Sequence, residues 1–307
     1  MACGLGCAAR SGIIAADDPA STEPTISTTL ELHAGKLRLA LRPDLGGCIA
    51  GLWLGDDAVL RSTEPAALAA SRQSGCYPLV PYSGRLGYRR FHWLGQEHRT
   101  APNFDDNPHS VHGVAWQRPW TVVSSSATEA ALVCEHSPDP HWPFAFTLRQ
   151  RFELTPEALV VHLSITNHEP QPQPVGLGWH PYFPKRAHSR LKIDVSERWD
   201  SDASGLSTQR VAQANIDAEV ASLGFDHCFE GWRGPAQIDD EKLSMQLTSS
   251  LPYLVVFTPD TKPYYCVEPV SHVSNAIQMA DPAAHGLRAL APAATFDAWM
   301  KLAVGRA

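Results

Sequence analysis

Between Phe144 and Leu154 apolar and polar side chains alternate along the chain. Phe144, Phe146, Leu148, Phe152 and Leu154 fall on one side, interrupted by Gln150, while Thr147, Arg149, Arg151 and Glu153 fall on the other. A repeat of two residues is that of a strand with one face in a core and one in water. Leu159, Val161, Leu163 and Ile165 repeat the pattern opposite Val160, His162, Ser164 and Thr166, and the corner Thr155-Pro156-Glu157 predicts a hairpin between the two runs. Phe296, Ala298, Met300, Leu302 and Val304 form a third such face near the C-terminus. From Ile26 onward, LELHAGKLRLALRPDLGGCIAGLWLGDDAVL sets short Leu-rich runs between turn signals at Ala34-Gly35, Pro43-Asp44, Gly46-Gly47 and Gly55-Asp56, as an antiparallel meander would. Helical periodicity is scarce. Its best stretch, Pro65 to Ser71, is about two turns long and marginal without packing. A strand-like run starting near Val175 leads into His180. The pattern predicts an all-β protein, a large antiparallel β-sandwich forming a single domain over 26–307, after a loose extension over 1–25.

Composition narrows the partners. The chain has 307 residues, of which 25 are Pro, and the prolines fall mostly between the strand runs. Its 32 acidic and 25 basic residues give a net charge of −7. No basic cluster offers phosphate contacts, so nucleic acid is excluded as a partner. No apolar run approaches the roughly 18 residues of a membrane span. The seven Cys are odd in number and scattered, without a CxxC pair. Reduced thiols in the cytoplasm are expected. The first 25 residues lack the apolar stretch of a secretory signal, and Cys3 and Cys7 alone keep an export or lipid-anchor reading open.

The candidate chemistry sits in five places. CYPLVPYSGRLG carries Arg85, NPHSVHGVAW carries His109 and His112, GLGWHPYF carries His180, LGFDHCFEGW carries Asp226 and His227, and YYCVEPVSH carries Glu268. In GLGWHPYF, Pro181 biases His180 toward an extended backbone and fixes where its imidazole points, while Trp179, Tyr182 and Phe183 supply flat walls. Each residue alone is more often structural: a salt-bridged Arg, a satisfied loop His, a turn-forming Asp, a carboxylate at a strand end. His109-x-x-His112 has a spacing that suits metal ligands on a helix, but Pro108 and Gly113 make a helix improbable and no nearby Cys completes a site. There is no G-x-S-x-G elbow and no Gly-rich phosphate cradle.

Taken together, VPYSGRLG, HSVHG, GWHPYF, FDHCFEGW and CVEPVSHVSNA resemble, in order and spacing, the pattern of the aldose 1-epimerase (galactose mutarotase) family from about Leu30 to Val304. The resemblance implies a supersandwich with a sugar cleft across one sheet face, and interconversion of the α and β anomers of a small-molecule aldose. It implies that His180 is the general acid and Glu268 the general base, and that Arg85, His112 and Asp226 bind sugar hydroxyls. No metal and no organic cofactor is implied, and the expected assembly is a monomer or homodimer. The chemistry requires an ionised Glu268 and a protonated His180, with a nearby carboxylate raising the imidazole pKa. Tyr82, Trp116, Trp142, Trp179 and Phe183 are candidates to stack on the sugar. The chain departs from the family at Gly84, where members often carry Asn, and at Pro292-Ala293, where a Pro-Gly turn is usual. Arg85, Arg89 and Arg90 keep a hexose 6-phosphate substrate open. A non-catalytic carbohydrate-binding or sensing module ranks second, and a glycoside hydrolase or lyase using Asp226 with Glu268 third.

Overall fold

The structure is a computed structural model that describes Met1 and residues 29–307. The extension over 1–25, the expected start at Ile26, and Cys3 and Cys7 lie outside the described residues. The alternating runs are strands. Phe146–Thr155 pairs antiparallel with Ala158–Asn167 through the predicted corner, and Ala158–Asn167 pairs in turn with Thr295–Arg306. The register sets Phe152 opposite Val161 and Val161 opposite Met300, so the three apolar faces merge into one. Gln150 lies in that face without cost to hydrogen bonding, because its Nε2 donates to the Gly47 carbonyl at 3.1 Å. Phe144 precedes the strand and is only partly buried against the core.

These strands are the centre of a nine-stranded sheet. Its order is Ile216–Glu219, Arg190–Asp194, Arg233–Asp239, Leu243–Ser249, Thr295–Arg306, Ala158–Asn167, Phe146–Thr155, Glu129–His136 and Thr121–Ser125. A six-stranded sheet runs Tyr182–Pro184, Tyr264–Val270, Tyr253–Phe257, Asp226–Glu230, Glu197–Ser201 and Ser207–Ala212. One buried cluster takes Leu148, Phe152 and Val161 from the first sheet and Leu254, Val256, Tyr265 and Val267 from the second, so the sheets share a core as a sandwich does. Alternation turns Val255, Phe257, Tyr264 and Glu268 away from that core. The six-stranded sheet therefore has a second face free to build a site. Leu30–Ala34, Leu37–Arg42, Cys48–Leu54 and Asp57–Ala58 form the expected meander.

Two local expectations fail for identifiable reasons. Pro65 to Ser71 is not a helix; it contains only the 3₁₀ turn Pro65–Ala67, with a second turn at Ser71–Gln73. The Arg42 guanidinium takes the Pro65 and Leu68 carbonyls, and no side chain caps the N-terminus, so a helix there has neither acceptors nor cap. The strand before His180 is only Gln173–Val175. Among the described residues there is no α-helix.

At the C-terminal turn Ala293 takes φ +58°, where glycine fits without a Cβ penalty. Ala293→Gly is expected to raise stability by about 0.5–1 kcal/mol, the left-handed penalty less the added freedom of the unfolded chain. Urea denaturation checks it; a lower midpoint at unchanged slope would show that the turn carries no strain.

Candidate active site

Segment 176–181, just after Gln173–Val175, is stitched to two neighbours rather than paired as a strand. His180 N–H donates to the Tyr77 carbonyl at 3.0 Å and Leu79 N–H to Gly178 at 2.9 Å, while Ser271 N–H donates to Leu177 at 2.8 Å. Gly176 is required there, because a Cβ would overlap the buried His272 imidazole. The seam places His180 Nε2 at 3.4 Å from Oε1 of Glu268, which projects from the strand Tyr264–Val270. The His180 ring stacks on Tyr182, with centroids 4.4 Å apart and planes 15° apart, and Tyr77 packs against both rings, its centroid 4.9 Å from His180 and 6.0 Å from Tyr182. The two tyrosine hydroxyls meet at 3.2 Å. His180 Nδ1 has no hydrogen-bond partner, so packing rather than a hydrogen bond to that nitrogen orients the imidazole. Arg61 backs the stack, its guanidinium 3.7 Å over the Tyr182 ring and bound to the Ser74 carbonyl.

Arg85 and His112 arrive together because Arg85–Leu86 pairs with Ser110–Val111. His112 N–H donates to the Gly84 carbonyl at 2.8 Å, and His112 Nδ1 accepts the Gly84 N–H at 3.2 Å. That second bond fixes the tautomer, leaving Nε2 as the N–H donor of a neutral ring. Burial, with Arg85 adding to it, holds the His112 pKa down at about 3. Arg85 Nη2 donates to Asp226 Oδ2 at 3.2 Å. Its backbone N–H donates to Ser274 Oγ at 2.9 Å, and Ser274 also occupies the space a side chain at Gly84 would need, 2.6 Å from an added Cβ.

All five predicted residues, Arg85, His112, His180, Asp226 and Glu268, line one cleft of about 320 Å³, room for a monosaccharide. His109 does not. It is buried, with Nδ1 accepting from Tyr88 N–H and Nε2 on the Ser204 carbonyl, a structural loop histidine. The stacking candidates are corrected as well. Tyr82, Trp116, Trp142, Trp179 and Phe183 are buried off the cleft, whose aromatic lining is Tyr77, Phe104, Tyr182, Phe257 and Tyr264. Large aromatics in a sandwich serve the core first. Counting by twos back from Glu268 reaches Tyr264, a signal the sequence offered; Phe104 and Tyr77 come from loops without a repeat to mark them.

Burial works against the expected protonation. Burial pushes His180 well below 6.5, with the neighbouring His112 and Arg61 adding to it. Burial pushes Glu268 well above 4.5, with Asp226 adding and Arg85 opposing. Desolvation thus favours the uncharged form of each group, a carboxylic acid beside a neutral imidazole with one mobile proton between Oε1 and Nε2, over an ion pair. His180, Cys266 and Glu268 also bring three ligand-type atoms within 4.8 Å of one another, the group among the described residues that could hold a metal.

The buried histidines make acid sensitivity predictable. His112 and His272 are held at about 3 and about 4 against an ordinary 6.5, both chiefly by burial. Their folded pKa values lie below the unfolded ones, so the stability they contribute is present above pH 6.5 and lost as pH falls. Near pH 5 the unfolded chain takes up a proton at each of these positions that the fold refuses, and the two rings alone are expected to contribute a loss of about 2.7 kcal/mol per pH unit. Denaturant titrations at pH 7, 6 and 5 read the slope, and a flat profile would show that both rings accept protons in place.

An antiparallel sandwich with this cleft on the free face of its smaller sheet is a galactose mutarotase-like fold, as its structural neighbours show. The chain belongs to the aldose 1-epimerase family, whose model matches residues 28–303. It is 31% identical over 294 residues to YphB of Escherichia coli (strain K12), a protein itself uncharacterized, covering 90% of this chain and 99% of the relative. A crystal structure from Escherichia coli K12 assigned to the aldose 1-epimerases is 29% identical with a TM-score of 0.83, covering 91% of this chain and 99% of that one. A galactose mutarotase-like protein from Clostridium acetobutylicum matches in fold, with a TM-score of 0.80 at 20% identity over 91% of this chain and 95% of its own.

Proposed function

We propose that the protein is an aldose 1-epimerase that interconverts the α and β anomers of a free aldose. The observation that carries this reading is the His180 and Glu268 pair, 3.4 Å apart at the floor of a monosaccharide-sized cleft. Glu268 removes the proton of the anomeric hydroxyl and His180 delivers one to the ring oxygen. The C1–O5 bond breaks, the open-chain aldehyde turns about C1–C2, and the same pair with roles exchanged closes the ring. Before the first transfer the mobile proton crosses from Glu268 to His180, a step that keeps the pair neutral overall. Sugar hydroxyls entering the cleft and the Arg85 guanidinium favour the carboxylate this creates. His112 offers its Nε2–H, and Arg85 with Asp226 offers donor and acceptor, for the remaining hydroxyls.

A free sugar is favoured over a 6-phosphate. Among the described residues lining the cleft Arg85 is the sole Arg or Lys, and it faces Asp226; Arg89 and Arg90 do not line it. The test is exchange NMR of anomer interconversion over a panel of free aldoses and their 6-phosphates. Acceleration confined to free sugars is expected. Binding without acceleration would turn the reading to a sensing module, and acceleration of the phosphates alone would overturn the substrate class.

A further inference from the structure

The alternation that puts Glu268 in the cleft places Cys266, two residues earlier, on the same side of the strand as Tyr264 and Glu268, both of which line the cleft. Cys266 is fully buried, and its cross-strand neighbour is Tyr182, the residue stacked on His180. The imidazole, thiol and carboxyl ligand atoms of His180, Cys266 and Glu268 all lie within 4.8 Å of one another. We propose that these three side chains form a binding site for a thiophilic divalent cation of the zinc class, and that such an ion and the sugar exclude each other. Only the second clause rests on the epimerase reading.

The donor set is of the kind zinc takes: one nitrogen, one sulfur and one oxygen, with a fourth position left open. Bonds of roughly 2.0–2.3 Å in a tetrahedron put ligand atoms about 3.3–3.8 Å apart. His180 and Glu268 already meet that spacing at 3.4 Å, and the sulfur lies close enough for small side-chain rotations to complete it. Charge fits too. A divalent ion with one thiolate, one carboxylate and one neutral imidazole sums to zero, the balance a buried site tolerates. Glu268 is 3% exposed, lines the cleft and has His180 Nε2 at 3.4 Å from its Oε1, so nitrogen and oxygen ligands already face each other there. Binding releases the thiol proton of Cys266 and the mobile proton of the pair to solvent, and occupies both groups the ring opening uses. His180 Nδ1 lacks the carbonyl or carboxylate to which a dedicated zinc histidine donates, which makes the site reversible and not structural.

The test uses the full chain and Co²⁺ as probe, read by absorption without sugar. Wild type is expected to show a thiolate-to-cobalt charge-transfer band saturating at one ion per chain and bleached by Zn²⁺. Cys266→Ser is expected to lose the band, to keep anomer exchange, and to need at least about ten-fold more Zn²⁺ for half inhibition. Should Cys266→Ser not fold, Glu268→Gln serves instead: it keeps the sulfur band but weakens Co²⁺ binding by a similar factor. A missing thiolate band, or one that persists in Cys266→Ser, overturns the site. A band that behaves as expected in a protein without epimerase activity upholds the site and sinks the epimerase reading.

Discussion

Glu268→Gln is expected to lower the enzyme-accelerated rate of anomer exchange by about two to four powers of ten while making the protein more stable at neutral pH. The loss follows from the chemistry, since an amide cannot accept the anomeric proton, and the substitution is close to isosteric. The gain follows from burial. Glu268 is 3% exposed and held well above 4.5, whereas the unfolded chain ionises it near that value. A raised folded pKa stabilises below 4.5 and is lost as pH climbs toward the raised value, so at pH 7 the wild type carries the cost of a buried acid that Gln does not titrate. The melting temperature of the variant should therefore exceed that of wild type at pH 7 to 8, and the gap should close toward pH 4.5. A rate and a stability that move in opposite directions mark a group retained for function and not for the fold. If both fall together, Glu268 is a structural carboxylate. His180→Asn should lose a similar factor in rate, but with reduced stability, because the buried cluster with Tyr77 and Tyr182 loses one of its three rings.

The sheets were legible because alternation states which side of each strand is wet. Phe152, Val161 and Met300 announce their faces, and pairing in register only had to bring those faces together. The site was legible in its ionisable members for a different reason: Arg85, His112, His180, Asp226 and Glu268 sit in motifs whose order resembles a family. Nothing in the spacing alone joins Arg85 to Asp226, 141 positions apart. What stayed hidden depended on loops and on desolvation. Phe104 reaches the cleft from an irregular segment, and Trp116, equally aromatic in sequence, packs behind it. The protonation of His180 and Glu268 could not be read from residue types, because the sign of each shift is set by burial and not by the partner. Gly84 read as a missing amide; in the fold its place is taken by Ser274, 190 residues later in the chain.

Gly113→Ala is expected to cost about 3–5 kcal/mol of stability and to lower the catalytic efficiency with it. Gly113 holds φ +68°, and a Cβ there would fall inside the Val80 carbonyl and the following Pro81 nitrogen, backbone atoms with no rotamer to give way. Val80 O accepts the N–H groups of Val114 and Ala115, at 2.9 and 3.1 Å, and Asn103 Nδ2 binds the carbonyls of Val111 and Gly113. The loop therefore cannot back away without releasing these bonds. The damage should reach the cleft, because the Val80 segment is the one that holds Leu79 and Tyr77 against Gly178 and His180, and His112 is the adjacent residue. Gly95→Ala supplies the control. Gly95 holds φ +79° but has nothing within 4 Å of an added Cβ, so it pays the left-handed penalty alone, about 1–2 kcal/mol. Urea denaturation of the two variants separates overlap from conformational preference: the difference between them is the cost of pushing Val80 aside. Equal losses would show that the loop carrying His112 is compliant, and that the acid–base pair is positioned without it.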